Sequence, residues 1–278
     1  MLAFDDEVPV GYIHTSFVPD SSEHSFDYAV GQICFLCVDS TYPGASDAAV
    51  SLIRAGEDYL TGLGAHTIFG GSPSPSAPFY SAIYGGSEAI AILHSDETII
   101  NAFHEASYQV GHETTRFCFD LQDYTPIITA ETIGYGGEIE IDICEVSRAR
   151  TWWEGCALAH GVWFDATAFL ARTDRPIAQL RTRVTYPDTD NAVTMYDKTW
   201  LASLTALRVH PSFDIEGIRR YLLGEVIQYL AAQNQIVQAI AHTIDPSPLC
   251  ALLRSQHWQE RDGGIVFVKN IANTKPAR

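Results

Sequence analysis

One stretch of the sequence combines a strand, a tight turn and a long helix in an order that suits anion binding. It reads ALRVHPSFDIEGIRRYLLGEVIQYLAAQN and spans residues 206–234. The first N–H groups of a helix have no partners within the helix, and the helix dipole is positive at that end, so the turn can hold a phosphate-bearing ligand. In the alternative interpretation, the turn only joins the strand to the helix and Asp214 caps the helix with its own carboxylate.

The thiols and imidazoles follow no metal-binding or disulfide pattern. Six cysteines are scattered through apolar segments, which suits a reducing compartment. Cys34 and Cys37 form a CxxC, but both lie inside the strand-like GQICFLCVDS, where positions three apart point to opposite faces. The ten histidines include no HExxH pair. We therefore expect no metal, and we expect the cysteines to serve core packing.

Composition and charge limit the classes of function. The chain has 278 residues, 46% of them apolar, and a formal net charge of −17, so it can bury one large core or two ordinary ones. The negative balance would repel a polyanion, so nucleic acid is not an expected partner. No apolar run is long enough to span a bilayer, and the start MLAFDDEVPV lacks the features of a signal peptide. We expect a soluble, cytoplasmic protein with no membrane partner.

Strand and helix patterns follow each other in the same order in the two halves of the chain. In the first half, the strands PVGYIHTSFV and GQICFLCVDS, the helix SDAAVSLIRAGEDYLTGLG, the strand AHTIFGG, the helix DETIINAFHEASY and the strand HETTRFCFDL follow one another. The second half has EIEIDICEV, the helix RARTWWEGCALAH, the strands WFDATAFLAR, PIAQLRTRVTYP and WLASLTALRVH, the long helix, and then IVQAIAHT, the helix SPLCALLRSQHW and GIVFVKN. This repeat predicts an α/β fold with two domains, residues 1–125 and 126–278, each a twisted mixed sheet flanked by helices.

This order carries a resemblance to a known family. The stretch LRVHPSFDIEGIRRYLLGEVIQYL, followed by a strand, a short helix and HW where GF is usual, resembles the GCN5-related N-acetyltransferase (GNAT) superfamily. The first half is similar to it through FLCVDSTYPGASDAAVSLIRAGEDYLTGLGA, and PFYSAIYGGSE resembles a segment of bacterial tandem members. The resemblance covers nearly the whole chain. It implies two tandem GNAT-like domains, with acetyl-CoA as cosubstrate.

The resemblance also implies where acetyl-CoA binds. In the superfamily, a turn of the type R/Q-x-x-G-x-G/A presents N–H groups to the pyrophosphate, and the preceding strand bonds the thioester and the pantetheine arm. The turn has drifted here, because an aspartate stands where a residue of the motif is expected in each half; each could cap its own helix, or Arg219 and Arg220 could compensate the charge. The implied cofactor-binding residues are Leu36, Val38, Gly44, Asp47, Ala49, Leu207, Val209, Asp214, Gly217, Ile218, Arg219 and Arg220.

Acyl transfer needs a neutral amine, donors for the oxyanion and a route for the leaving thiolate to gain a proton. The superfamily often places a tyrosine acid on the last helix, but the matching residues are Phe103 and Leu253, which have no hydroxyl. Tyr80 and Tyr84 could replace it, or they could only pack their loop. Two candidate bases lie just beyond the strands that precede the turns, Asp39 in the first half and His210 in the second; for His210 the alternative is a solvated residue at a strand end.

The first half lacks the opening strand and helices that the second half provides. Either the start is displaced from a longer chain, or the first domain is incomplete and the second domain or another subunit covers its exposed edge. We therefore expect tight packing between the halves or self-association, for example as a homodimer. The expected function is N-acetyl transfer from acetyl-CoA to a small amine or an N-terminal amine. The alternative is a catalytically silent GNAT-fold protein that binds CoA or acts as an interaction scaffold.

Overall fold

A computed structural model of the chain describes residues 1–71, 91–122, 124–125, 134–135, 137–158, 161–185, 200–213, 215–233 and 235–271. These ranges contain twelve strands: β1 (Leu2–Asp5), β2 (Val8–Pro19), β3 (Phe26–Val38), β4 (Thr67–Gly70), β5 (Ile92–Leu93), β6 (Gln109–Asp120), β7 (Ile139–Glu145), β8 (Val162–Leu170), β9 (Pro176–Thr185), β10 (Trp200–Val209), β11 (Ile236–Asp245) and β12 (Gln259–Asn270). They also contain five helices: α1 (Ala45–Gly62), α2 (Glu97–Glu105), α3 (Trp152–Leu158), α4 (Ile215–Ala231) and α5 (Pro248–Ser255).

All the strands belong to one sheet. Its order is β1-β2-β3-β4-β12-β6-β11-β10-β9-β8-β7, and the short β5 pairs with β12. Two neighbouring pairs are parallel, β3 with β4 and β10 with β11, and the other pairs are antiparallel. The predicted α/β class with a mixed sheet is therefore confirmed, and the two halves share that sheet.

The halves exchange their last strands at the centre of the sheet. β12, from the second half, pairs with β4 of the first half, and β6, from the first half, pairs with β11 of the second. β6 and β12 also pair with each other. Each half therefore passes from a strand through a helix to a strand two positions further on, and the other half fills the position between.

Two hydrophobic cores lie under the helices, and each takes one aromatic ring from the other half. The first core packs α1 and α2 against β2, β3 and β4, and it contains Phe267 of β12. The second packs α4 and α5 against the strands of the second half, and it contains Phe117 of β6. Both phenylalanines are fully buried. The exchange of strands thus makes each core incomplete without the other half.

Local sequence signals set the ends of the two short helices that precede the exchanged strands. Asp96 caps α2 by accepting from the Ile99 N–H, and Ser247 caps α5 by accepting from the Cys250 N–H. After each helix the chain turns through a left-handed residue, Ser107 with φ 64° and His257 with φ 60°. Glycine adopts this conformation with least strain, and neither position is glycine.

The second half begins with elements that have no counterpart in the first. Residues 1–44, which the structure describes completely, form β1, β2 and β3 and no helix before α1. The second half instead opens with β7 and α3, and α3 packs against the first half: Trp152 and Trp153 contact Phe26 with ring centroids 5.2 and 6.1 Å away. The expected tight packing between the halves is confirmed. No helix in the described ranges is long and apolar enough to cross a lipid bilayer.

Candidate functional site

A β-bulge marks the same point in each half. β3 has an irregularity in its pairing with β2 at Cys34, and β10 has one in its pairing with β9 at Thr205. A bulge reverses the alternation of side chains along the strand that follows. In β10, Leu204 before the bulge and Leu207 after it both contact the second core, whereas Arg208 faces the opposite side of the sheet.

The parallel strands separate directly beyond each bulge. β3 and β4 pair from Val30 to Ile33, and β10 and β11 pair from Trp200 to Leu204. Beyond these points, β3 and β10 continue along their antiparallel neighbours alone. Each half therefore has a cleft where two parallel strands diverge.

Backbone donors face each cleft. The Asp39 N–H donates to Val10 O and the His210 N–H donates to Ile177 O, so these residues point toward the antiparallel neighbour. Since orientation alternates along a strand, the N–H groups of Leu36 and Val38 face the first cleft, and those of Leu207 and Val209 face the second. The four strand positions that the sequence associated with a thioester all lie on a cleft edge.

The turn of the second cleft is closed by His210. The Ser212 N–H donates to His210 Nδ1 over 3.2 Å, and the Phe213 N–H donates to His210 O. α4 then begins at Ile215, and Gly217 and Ile218 are buried in its first turn. Asp214 lies outside the described residues.

The two arginines that follow the turn differ in their contacts. Arg220 Nη2 donates to Glu216 Oε1, one helical turn earlier, over 3.1 Å. Arg219 is only partly buried and lies beside it on the first turns of α4. Of the two arginines, Arg219 is thus the one without an ion pair in the described ranges.

In the turn of the first cleft, the side chain of Asp39 accepts the hydrogen bonds that close the turn, as His210 does in the second. Asp39 Oδ1 accepts from the Thr41 N–H and the Thr41 hydroxyl, and the hydroxyl bond holds the pKa of the Asp39 carboxyl below its usual range. α1 has Gly44 as its N-cap and no side-chain capping bond. The alternative in which Asp47 caps α1 has no hydrogen bond to support it among the described residues: Asp47 lies exposed in the first helical turn, two positions before the buried Ala49.

The candidate catalytic residues do not converge in the described part of the chain. Tyr80 and Tyr84 lie outside the described residues. Phe103 and Leu253 are fully buried, and Phe103 stacks on Phe267 with ring centroids 5.0 Å apart. His210 uses Nδ1 to accept from the turn, so the neutral ring carries its proton on Nε2 and has no free lone pair for a base.

Next to the second cleft lies a cavity of about 220 Å³ that the sequence did not predict. It is on the side of the sheet opposite α4 and α5, and Ala206 and Arg208 line it from β10. The remaining lining residues come from β9, from the segment that begins α3 and from the tip of the β2–β3 hairpin; they are Gln179, Arg181, Arg150, Thr151, Glu154 and Glu23.

A charge network fixes one wall of this cavity. Arg181 donates to Asp165 Oδ1 and Oδ2 over 2.7 Å each, and it also bonds Glu154 Oε1. Hydrogen bonds to Asp165 come first among the causes that raise the pKa of Arg181. Burial raises the pKa of Glu154, but bonds from the Arg150 N–H and Arg181 outweigh burial and hold it below its usual range. Glu154 and Arg181 therefore stay ionised at neutral pH.

His242 is another residue near the second cleft that the sequence did not indicate. It follows the last residue of β11 that pairs with β10, so it lies where the strands diverge. Desolvation, with smaller contributions from the Arg116 and Arg183 charges, lowers the pKa of His242 to about 3. The imidazole is therefore neutral but too weakly basic to take a proton from an ammonium. AIAHTID reads as an ordinary strand, and nothing in it signals this position.

The described residues contain no group of three or more histidine, cysteine, aspartate or glutamate side chains that could hold a metal ion. Cys34 is buried and Cys37 exposed, which fits positions on opposite faces of a strand, so the expectation of core packing is wrong for Cys37; burial raises the pKa of Cys34 to about 12. Redox or metal chemistry at this CxxC has no structural support in the region.

The fold that these elements build is that of the GCN5-related N-acetyltransferases. No protein-family profile and no curated protein sequence matches the chain. Among solved structures, the chain is similar to a tandem GNAT protein from the clavulanic acid biosynthesis pathway, with a TM-score of 0.64 and 11% identity over 99% of this chain and 83% of that one. A GCN5-related N-acetyltransferase from Sphaerobacter thermophilus aligns with a TM-score of 0.57 and 11% identity over 95% and 78% of the two chains.

A third similar structure belongs to a larger protein. It is the GCN5-related glucosamine N-acetyltransferase region of a fungal multi-domain GH3 β-N-acetylglucosaminidase, with a TM-score of 0.67 and 15% identity. The alignment covers 95% of this chain but 32% of the fungal one, so this chain spans about a third of that protein. At these identities the similarity establishes the fold, and the chain has a tandem GNAT fold.

Proposed function

We propose that this chain is an N-acetyltransferase of the GCN5-related superfamily, which moves an acetyl group from acetyl-CoA to an amine in the second cleft. The observation that carries the proposal is the divergence of β10 and β11 beyond Leu204, which leaves the Leu207 and Val209 N–H groups facing an open edge. Unpaired backbone donors at a strand edge suit a ligand with carbonyl oxygens. The proposed cofactor residues are therefore Leu207, Val209, Gly217, Ile218, Arg219 and Arg220.

The residues of the second half fit acetyl-CoA better than those of the first. The phosphates of the cofactor need donors and positive charge, which α4 offers through its N-terminus and Arg219. The first turn carries the carboxylates of Asp39 and Asp47. In addition, the Tyr42 ring covers Gly44 so closely that a Cβ there would lie 2.7 Å from the ring. We propose that Leu36, Val38, Gly44, Asp47 and Ala49 now serve structure rather than cofactor binding.

Bound acetyl-CoA would supply a thioester carbonyl to this cleft. The Leu207 and Val209 N–H groups can donate to an oxygen that gains negative charge, without reorganising when the charge develops. The attacking amine must lose a proton first. The lone pair of His210 accepts from the Ser212 N–H, and His242 is too weakly basic to take the proton. We infer that the proton passes to water, so the rate should rise with pH until the amine is neutral.

A proton donor for the leaving thiolate is not essential. A thiol loses its proton near pH 8.5, so a thiolate leaves far more readily than an alkoxide. This is compatible with Phe103 and Leu253 at the positions that could have carried a phenol. Tyr80 and Tyr84 remain proposed acids for this step.

Other expectations from the sequence stay proposals. We propose that the chain has two domains, residues 1–125 and 126–278, and that it forms a homodimer in the cytoplasm. We also propose that it has no nucleic acid partner and that its acceptor is a small amine or an N-terminal amine. The alternative function, a silent protein that binds CoA or acts as a scaffold, is favoured by the absence of a hydroxyl on the side chains of Phe103 and Leu253 and by the bond that occupies His210 Nδ1.

Turnover separates these two functions. The full chain is incubated with acetyl-CoA and a mixed panel of primary amines, including glucosamine because a similar structure is named for it. Acetylated products are then sought by mass spectrometry at pH 6, 7, 8 and 9. The proposal predicts a product whose yield rises with pH. Binding of acetyl-CoA without any product at any pH would instead establish the silent function.

A further inference from the structure

The cavity beside β10 carries two charges that its own residues do not neutralise. Arg181 is balanced by Glu154 and Asp165, and Arg150 lies 4.0 Å from Asp165. Arg208, by contrast, has no ion pair in the described part of the chain, although it lines the cavity. Among the same described residues, the Glu23 carboxylate accepts a hydrogen bond only from the uncharged Thr151 hydroxyl, over 2.9 Å. The cavity therefore presents one unmatched cation and one unmatched anion.

Glu23 is held in a strained conformation at this cavity. It lies at the tip of the β2–β3 hairpin with φ 56°, a left-handed conformation that is unfavourable for a residue other than glycine. Two bonds from the second half fix it there: Thr151 Oγ1 donates to its carboxylate and the Trp153 N–H donates to its carbonyl oxygen over 3.2 Å. Strain of this kind persists where the surroundings hold it, and it is common at ligand sites.

We propose that this cavity binds a small amino carboxylate, such as an amino acid, with the carboxylate on Arg208 and the ammonium on Glu23. The first half thus completes a binding site of the second half. The assignment of the ligand as the acceptor rests on the acyl transfer proposed above, whereas the binding itself does not. A volume of about 220 Å³ suits a single amino acid.

The position of the cavity connects it to the cleft. Ala206 and Arg208 line it, and they alternate along β10 with Leu207 and Val209, whose N–H groups face the cleft. The bulge at Thr205 produces this arrangement, because without it Arg208 would point into the core. A ligand on Arg208 is therefore held against the same stretch of strand that offers donors to a thioester.

The test is direct binding by isothermal titration calorimetry to the full chain, without acetyl-CoA. The probes are glucosamine and four matched pairs that differ by one carboxylate: lysine and cadaverine, ornithine and putrescine, serine and ethanolamine, and phenylalanine and phenethylamine. A charge-assisted pair with Arg208 predicts that at least one amino acid binds about tenfold or more tightly than its partner. Arg208→Gln should remove that advantage, and the exposed Arg54→Gln should keep it.

Glu23→Gln tests the other charge. This variant keeps the shape and an oxygen that can accept from Thr151, so it should fold, and it should weaken both members of a pair by a similar factor of about ten. The affinity for acetyl-CoA, measured separately, should be the same in wild type, Arg208→Gln and Glu23→Gln.

Four results would overturn the proposal. They are no binding of any probe, equal affinity within every pair, a loss of acetyl-CoA affinity in Arg208→Gln, or glucosamine binding that exceeds the amino acids and ignores Arg208→Gln. The third would assign Arg208 to the phosphates of the cofactor, and the fourth would assign the cavity to an amino sugar. Probe binding without acetylated product would leave this proposal standing and refute acyl transfer alone.

Discussion

Phe117 and Phe267 occupy each other's half of the molecule. Phe117 comes from the last strand of the first half and lies in the core under α4 and α5, and Phe267 comes from the last strand of the second half and stacks on Phe103 under α1 and α2. Both rings are fully buried. The two cores are consequently coupled through side chains as well as through the continuous sheet.

Removing either ring should destabilise the whole chain. Phe117→Ala and Phe267→Ala should each lower the free energy of unfolding by about 3–5 kcal/mol, because each leaves a cavity in a close-packed core. Urea unfolding followed by circular dichroism measures this. Phe4→Ala, at an exposed ring, serves as the control and should change stability by less than about 0.5 kcal/mol. If the chain unfolded in two separate transitions and a substitution affected only one of them, the two cores would not be coupled.

The halves should not fold apart from each other. Residues 1–125 alone would expose the edges of β4 and β6 and lack Phe267, and residues 126–278 alone would lack Phe117. Unpaired edges and incomplete cores favour aggregation. Separate expression should therefore give insoluble or unfolded chains, whereas coexpression should give a soluble 1:1 complex by size-exclusion chromatography. A monomeric, cooperatively folding 1–125 would contradict this prediction.

Glycine should be better than the native residue after each short helix. His257→Gly and Ser107→Gly relieve a left-handed conformation and should raise the free energy of unfolding by about 0.5–1 kcal/mol each. Thermal unfolding measures the change. Asn101→Gly, at an exposed position inside α2, is the opposite control and should lower stability by about 0.5 kcal/mol. Destabilisation by His257→Gly would mean that its side chain makes a compensating contact.

His242 predicts a specific loss of stability in mild acid. Its pKa is about 3 in the folded chain and near 6.5 when unfolded, so the unfolded state binds more protons between these values and stability falls as pH falls through that window. Between pH 6.5 and 5, where carboxylates titrate little, wild type should lose about 1–2 kcal/mol more than His242→Gln. The free energy of unfolding is measured with urea at both pH values. If wild type and His242→Gln lost the same amount between pH 6.5 and 5, the lowered pKa would be contradicted.

The repeated order of strands and helices could be predicted because each element carries its own signal. The alternating and helical patterns from PVGYIHTSFV to GIVFVKN gave the elements from β2 to β4, α1, α2 and β6 to β12, and the resemblance gave the fold. The four-residue β1 and the two-residue β5 are too short to carry a pattern. The strand exchange was not predictable, since strands pair through backbone hydrogen bonds, which any neighbouring strand can make.

The site was predictable only where a local motif defines it. The cleft edge at Leu36, Val38, Leu207 and Val209 follows from the strand before each turn. The cavity was missed because Glu23 and Arg208 are 185 positions apart in sequence and meet only after the hairpin reaches α3. The sequence also did not predict that α1 has no side-chain cap and that Asp47 lies exposed, because it does not show that Asp39 and Thr41 shape the first turn.

The most direct test of the account is the affinity of acetyl-CoA for the full chain, measured by calorimetry together with three variants. Gly217→Asp places a carboxylate in the first turn of α4, Arg219→Glu reverses the nearest charge, and Gly224→Asp adds the same charge further along α4, where a Cβ meets no atom within 4 Å. The account predicts binding to wild type and Gly224→Asp, and a loss of about tenfold or more in Gly217→Asp and Arg219→Glu. No binding to wild type, or equal binding to all four, would contradict a cofactor site in the second cleft.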